Sequence, residues 1–260
     1  KQVTGTTRNT TKEDIEEAPP FFSVAGSDPE SISETSNKSE MISSEGRSSL
    51  QITPSYRAEK LKWLQGDHTE LTRDVMVMFL IQPNCPGCIL HGLPVANAIA
   101  SSKNLFDIYC VSTAFEDFEY NTEEGTMDLL HGRLNGASAE KLGRDTQTIP
   151  LMPVAYDCVV DTTSASEELQ QMALNALKAN ARDQLRSIGV PDKRIELALD
   201  HVEVGALPEK VAEIFWSVRA QGTPTWIVHT AEGEVLGVEF GFMDEERLRS
   251  WVNELIGEAV

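Results

Sequence analysis

The sequence predicts an α/β layered domain with an inserted helical segment, and three observations predict it. Two short, continuously apolar runs, "DVMVMFL" at 74–80 and "LFDIYCVST" at 105–113, have the length and composition of strands buried on both faces. Downstream, "GTPTWIVHTAEGEVLGVEF" at 222–240 reads as two strands joined by a tight Glu-Gly turn. Between these halves lies a long, mostly helical stretch, and no segment repeats.

In chain order, residues 1–55 are crowded with Ser, Thr, Glu and Asn and show neither helical nor strand period. Such a segment buries too little apolar surface to offset its ordering entropy, so it is expected to be a disordered tail. Residues 56–260 form the folded domain, with the helical insertion at about 120–218. "YRAEKLKWLQ" predicts a short lead-in helix before the first strand. A second helix runs from about Cys85 to Ser101, where Pro94 is expected to kink it. "LMPVAYDCVV" at 151–160 is strand-like. In "SASEELQQMALNALKANARDQLRSIGVP", Ser164 and Glu167 form a capping box, and Leu169, Met172, Leu177 and Leu185 keep helical spacing. Gly189 and Pro191 stop that helix. "PDKRIELALDHV" and "PEKVAEIFWSVRAQ" predict two more helices. The last, "MDEERLRSWVNELIG", has Asp244 as its cap, an apolar stripe through Leu248, Trp251, Val252 and Leu255, and Gly257 as its end.

The charge balance narrows the function. Forty-one acidic residues against 22 basic give a net charge of −19, with no basic patch interleaved with aromatics. Nothing would neutralise phosphates, which excludes a nucleic-acid partner. No apolar run reaches the roughly 18 residues of a transmembrane helix. The chain begins at Lys1 rather than Met, so we read it as processed or truncated, compatible with a signal peptide or anchor upstream. Four cysteines in 260 residues do not make a disulfide-dense scaffold.

The chemistry concentrates in "FLIQPNCPGCILHGLP", residues 79–94. A cysteine where a buried strand meets a helix sits among unpaired backbone N–H groups at the positive end of the helix dipole, and its thiolate is stabilised. Pro86 suits the first helical position, where no N–H is needed. Cys88, one turn on and more sheltered, is within disulfide reach. Cys85 would then attack a partner disulfide and Cys88 would resolve the mixed disulfide. In "QGTPTW", a proline at the head of a central strand is acceptable if the Thr223–Pro224 bond is cis in a tight turn. Such a loop beside the dithiol exposes the Thr223 backbone to an extended substrate chain.

With both motifs in place, "VMVMFLIQPNCPGC" followed far downstream by "GTPTWIVHTAEGEVLG" resembles the thioredoxin fold, and more narrowly the TlpA-like thiol–disulfide oxidoreductases. The likeness covers roughly residues 60–160 and 210–256. It implies a thioredoxin-like central mixed sheet flanked by helices, a redox disulfide at Cys85 and Cys88, and Pro224 as the cis-proline. It implies protein disulfide or dithiol substrates and a redox partner, calls for no cofactor, and favours a periplasmic or other extracytoplasmic compartment over the cytoplasm. Two positions depart from the pattern: Asn84 stands where thioredoxins carry Trp, and Phe79 where they carry a buried acid. His91, three residues after Cys88, is a candidate replacement proton acceptor; a solvated helix histidine is the alternative.

Three other readings stay open. Cys85, Cys88 and His91 are soft-metal donors for zinc or copper, although structural zinc wants four ligands and Cys110 and Cys158 stand alone in apolar strand runs, which suits buried, inert thiols better. A peroxidase would want Ser or Thr where Gln82 stands. A non-catalytic thioredoxin-like binding module would use the large insertion as an interaction surface.

Overall fold

The backbone in the computed structural model describes Ala58 and residues 61–259; the predicted tail at 1–55 lies outside the described residues. The elements in order are β1 (Lys62–Gln65), β2 (Val75–Ile81), α1 (Leu93–Ala100), β3 (Asp107–Ser112), α2 (Glu123–Leu130), α3 (Gly136–Leu142), β4 (Val154–Tyr156) and β5 (Val159–Asp161). Then follow α4 (Glu167–Ser187), α5 (Asp192–Leu199), β6 (Lys210–Ala212), α6 (Glu213–Ser217), β7 (Thr225–Thr230), β8 (Val235–Phe240) and α7 (Glu245–Ala259).

β2 explains the layering. Its side chains alternate between two cores: Val77, Phe79 and Ile81 join Leu93, Ile99, Leu248 and Val252 from α1 and α7 on one face. Met76, Met78 and Leu80 join Leu174, Val211, Ile214 and Phe215 from the insertion on the other. A strand covered on both faces has no position for a polar side chain, which is why the run is continuously apolar. Fully burying each such side chain contributes about 1.5–3 kcal/mol, so one strand ties both layers together.

The sheet order is β1-β4-β3-β2-β7-β8. β2, β3 and β4 are parallel, whereas β7 runs antiparallel to β2 and β8 antiparallel to β7. The mixed sheet is therefore a β2-α1-β3 unit joined to a β7-β8-α7 unit. α7 begins where expected, with the Arg247 N–H donating to the Asp244 carboxylate at 2.8 Å, but runs past Gly257 to Ala259.

Three elements differ from expectation. Residues 62–65 of the predicted lead-in helix are β1, an edge strand in which Trp63 faces Ala155 of β4; pairing with an open sheet edge outweighs the helix-favouring Glu, Lys and Leu of the segment. The long helix is capped two residues later than read, by Ser166, whose hydroxyl accepts from the Leu169 N–H at 3.2 Å. In "PEKVAEIFWSVRAQ" the first residues pair as β6 with β5 and leave only α6 helical. Within 120–218, the strand-like run at 151–160 lends β4 to the central sheet.

One buried carboxylate fastens the insertion to the sheet. Asp157, just past β4, accepts from Thr113 Oγ1 at 2.7 Å and from the N–H groups of Ile214 and Phe215 at 2.9 and 3.3 Å. Complete burial pushes its carboxyl up to about 6, against the opposing pull of those hydrogen bonds. Among the described residues no helix is long and apolar enough to cross a membrane.

Candidate active site

The dithiol lies past the C-terminal end of β2, where the chain turns into a helix that starts at Pro86. Cys85 and Cys88 form a disulfide with Cα atoms 5.3 Å apart. Cys85 is half-buried and Cys88 fully buried, so of the two only Cys85 is open to solvent. The Cys88 N–H points at Cys85 Sγ from 3.1 Å. That is the unpaired donor of a helix N-terminus, and it favours negative charge on the outer sulfur. The turn from Cys88 to Gly92 is π-helical, with the Leu93 N–H bonded to the Cys88 carbonyl. Pro94, expected to kink the helix, follows this wide turn and sits in the first turn of α1, where its missing N–H is tolerated.

Thr223 and Pro224 converge on the same spot from the far side of the sequence. Their peptide bond is cis, Pro224 is buried at the head of β7, and the Thr223 carbonyl oxygen stands 3.6 Å from Cys85 Sγ. Gly92 permits close approach here: a Cβ on it would lie 2.6 Å from the Phe79 ring and 3.5 Å from Pro224.

The two departures from the thioredoxin pattern acquire structural content. Phe79 is wholly buried and stacks on Trp226 with ring centroids 4.2 Å apart, so the place of a buried acid is filled by an apolar pair. Asn84 caps a remote helix. Its Oδ1 accepts from the Ala137 and Ser138 N–H groups at the start of α3, its Nδ2 donates to Asp117 at 2.8 Å, and its own N–H donates to Asn121 Oδ1 at 3.0 Å. Gly136 has φ +52, and a Cβ there would meet Asn84 Oδ1 at 2.3 Å, so only glycine leaves room for the cap. Neither Gln82 nor Asn84 was singled out from sequence for what it does here. The available signal was polarity: two amides at the end of a buried strand require partners.

His91 is exposed, its ring edge-on to Phe242 at 5.5 Å, and among the described residues it has no hydrogen bond to either cysteine. Leu90, Phe240 and Phe242 are large apolar side chains that remain about half exposed. The Gly241 N–H, between the two phenylalanines, donates to the Pro224 carbonyl at 2.8 Å. Cys110 is buried in β3, with its thiol pushed up by burial, whereas Cys158 is exposed rather than buried as its apolar run suggested. Among the described residues no three His, Cys, Asp or Glu side chains gather as a metal site.

No protein-family model matches the chain, and no curated protein matches it. Among solved structures it is similar to a thiol-disulfide isomerase from Corynebacterium glutamicum, at 18% identity over 75% of this chain and 90% of that one, TM-score 0.41. It is also similar to a thioredoxin-like superfamily protein, at 19% identity over 78% and 98%, TM-score 0.43. A third is a secreted disulfide oxidoreductase of Mycobacterium tuberculosis, at 12% identity over 73% and 87%, TM-score 0.34. The fold assignment rests on this chain's own geometry: a βαβ unit and a ββα unit sharing one mixed sheet, in the order β3-β2-β7-β8, are a thioredoxin fold.

Proposed function

We propose that this chain is a thiol–disulfide oxidoreductase that exchanges disulfides with protein substrates through Cys85 and Cys88. The observation that carries the proposal is the asymmetric pair, one sulfur accessible beside an N–H donor and the Thr223 carbonyl, the other buried beneath it. In the reducing direction the Cys85 thiolate attacks a substrate disulfide and one substrate thiolate leaves. The Cys88 thiolate then attacks Cys85 Sγ, the intramolecular disulfide forms, and the second substrate thiolate leaves. Two electrons pass from the dithiol to the substrate, and a dithiol-class redox partner returns them. Run backwards, the same steps oxidise a substrate dithiol. Thr223 and Pro224 form the rim along which an extended substrate segment lies. The exposed position of His91 against Phe242 supports a rim role for it rather than proton transfer from buried Cys88. The reading goes with an extracytoplasmic setting, where disulfides persist.

The test is a measured reduction potential with mass mapping of the oxidised state, together with Cys88→Ser. A reversible Cys85–Cys88 bridge is expected, and Cys88→Ser should accumulate a mixed disulfide on Cys85. Stoichiometric bound zinc with no bridge would replace this proposal with metal binding. A dithiol that neither cycles nor reduces a disulfide-bonded protein would leave a binding module.

A further inference from the structure

Gln82 follows β2 as a buried primary amide, 2% exposed. An amide taken out of water without partners carries a desolvation penalty, so its partners indicate what it is for. Its Nε2 donates to the Glu116 carbonyl at 3.3 Å. A carbonyl can only accept, which fixes the amide's orientation and turns Oε1 toward Thr223, whose hydroxyl donates to it at 3.2 Å. The main-chain carbonyl of Gln82 accepts the Cys85 N–H at 3.0 Å. One residue thus joins the dithiol turn, the loop after β3 and the loop before β7, three segments that meet beside Cys85. Thr223, the residue it holds by the hydroxyl, presents its carbonyl 3.6 Å from Cys85 Sγ.

We propose that Gln82 is a positioning residue: through the Thr223 hydroxyl it holds the Thr223 main chain in register with Cys85, and so favours disulfides embedded in an extended polypeptide over small disulfides. The inference rests on the oxidoreductase reading above. A polypeptide substrate uses two features at once, the sulfur and the Thr223 backbone groups; a small disulfide has no main chain and uses the sulfur alone. Loosening Thr223 therefore penalises the first kind of substrate selectively. The neutral amide suits the position because it orients the hydroxyl without setting an anion beside the sulfur. A carboxylate there would oppose thiolate formation.

The experiment compares the reduced full-length protein with Gln82→Met, Thr223→Val, the double variant and Thr223→Ser. Second-order rate constants are measured with a disulfide-bonded peptide and with 2-hydroxyethyl disulfide. The expected result is a fall of at least about fivefold in the peptide-to-small-disulfide rate ratio for each of the first two. The double variant should fall no further than the worse single one, because both changes break one hydrogen bond, and Thr223→Ser should keep the wild-type ratio. A ratio unchanged in Gln82→Met and Thr223→Val, or losses that multiply in the double variant, would overturn the proposal. If Gln82→Met fails to fold, as read by near-UV circular dichroism, Thr223→Val against Thr223→Ser carries the same decision. A wild-type protein inert toward both disulfides overturns the oxidoreductase reading itself, a result distinct from an unchanged ratio.

Discussion

Replacing Asp157 by Asn should flatten the pH dependence of folding stability. The wild-type carboxyl is fully buried and held up to about 6 in the folded state, against an ordinary value of 3.8. Its folded form binds a proton more tightly than its unfolded form. The stability this group contributes is therefore complete below about 3.8 and is lost as pH rises through about 6. A displacement of about 2 pH units at about 1.4 kcal/mol each gives about 3 kcal/mol. Asn at 157 cannot ionise but keeps an acceptor for the start of α6, where the Ile214 N–H donates. The difference in unfolding free energy, wild type minus Asp157→Asn, should thus shrink by about 3 kcal/mol between about pH 3.5 and pH 7.5. Urea unfolding at a series of pH values, followed by tryptophan fluorescence, measures it. Parallel curves would show that Asp157 titrates alike folded and unfolded. A difference growing with pH would show that the three hydrogen bonds outweigh burial. Either result would refute the reasoning.

Asn84→Ala removes the acceptor that caps α3 and should cost about 1–2 kcal/mol in chemical denaturation, with faster amide exchange at Ala137 and Ser138. Phe79→Ala empties the slot against Trp226 and should cost about 3–5 kcal/mol, read by thermal or urea unfolding, since the sheet above and the helix below cannot collapse onto it. His91→Ala should leave the rate at which Cys88 resolves a mixed disulfide within about twofold in stopped-flow, on the reading that an exposed ring packed on Phe242 lines the rim while Cys88 is fully buried. A tenfold loss there would instead make His91 the proton acceptor.

Much of the site was readable because its signals are local. The strand before Cys85, Pro86 at the helix start and the proline of the Thr223–Pro224 pair each constrain their own backbone whatever the rest of the chain does. The hairpin of β7 and β8 and the Asp244 cap are local in the same sense. The strand character of β1 and β6 is not legible in the sequence because it exists only in a partner: Trp63 faces Ala155 and Val211 faces Val160, pairings that no window of neighbouring residues contains. Cys158 is exposed because it falls in the two-residue link between β4 and β5, a break in the apolar run that the composition does not show.

By itself, then, the sequence determined the layer pattern, the dithiol and the loop that faces it, since hydrophobic period, proline and helix-start chemistry act over a few residues. Only the tertiary structure decided what surrounds the sulfur. Asn84 reaches Ala137, Gln82 reaches Thr223 and Asp157 reaches Ile214 across separations of 53, 141 and 57 residues. Each of these side chains is a buried polar group whose partner is set by where the sheet and the insertion come to rest, so its role becomes visible only once the chain has closed around it.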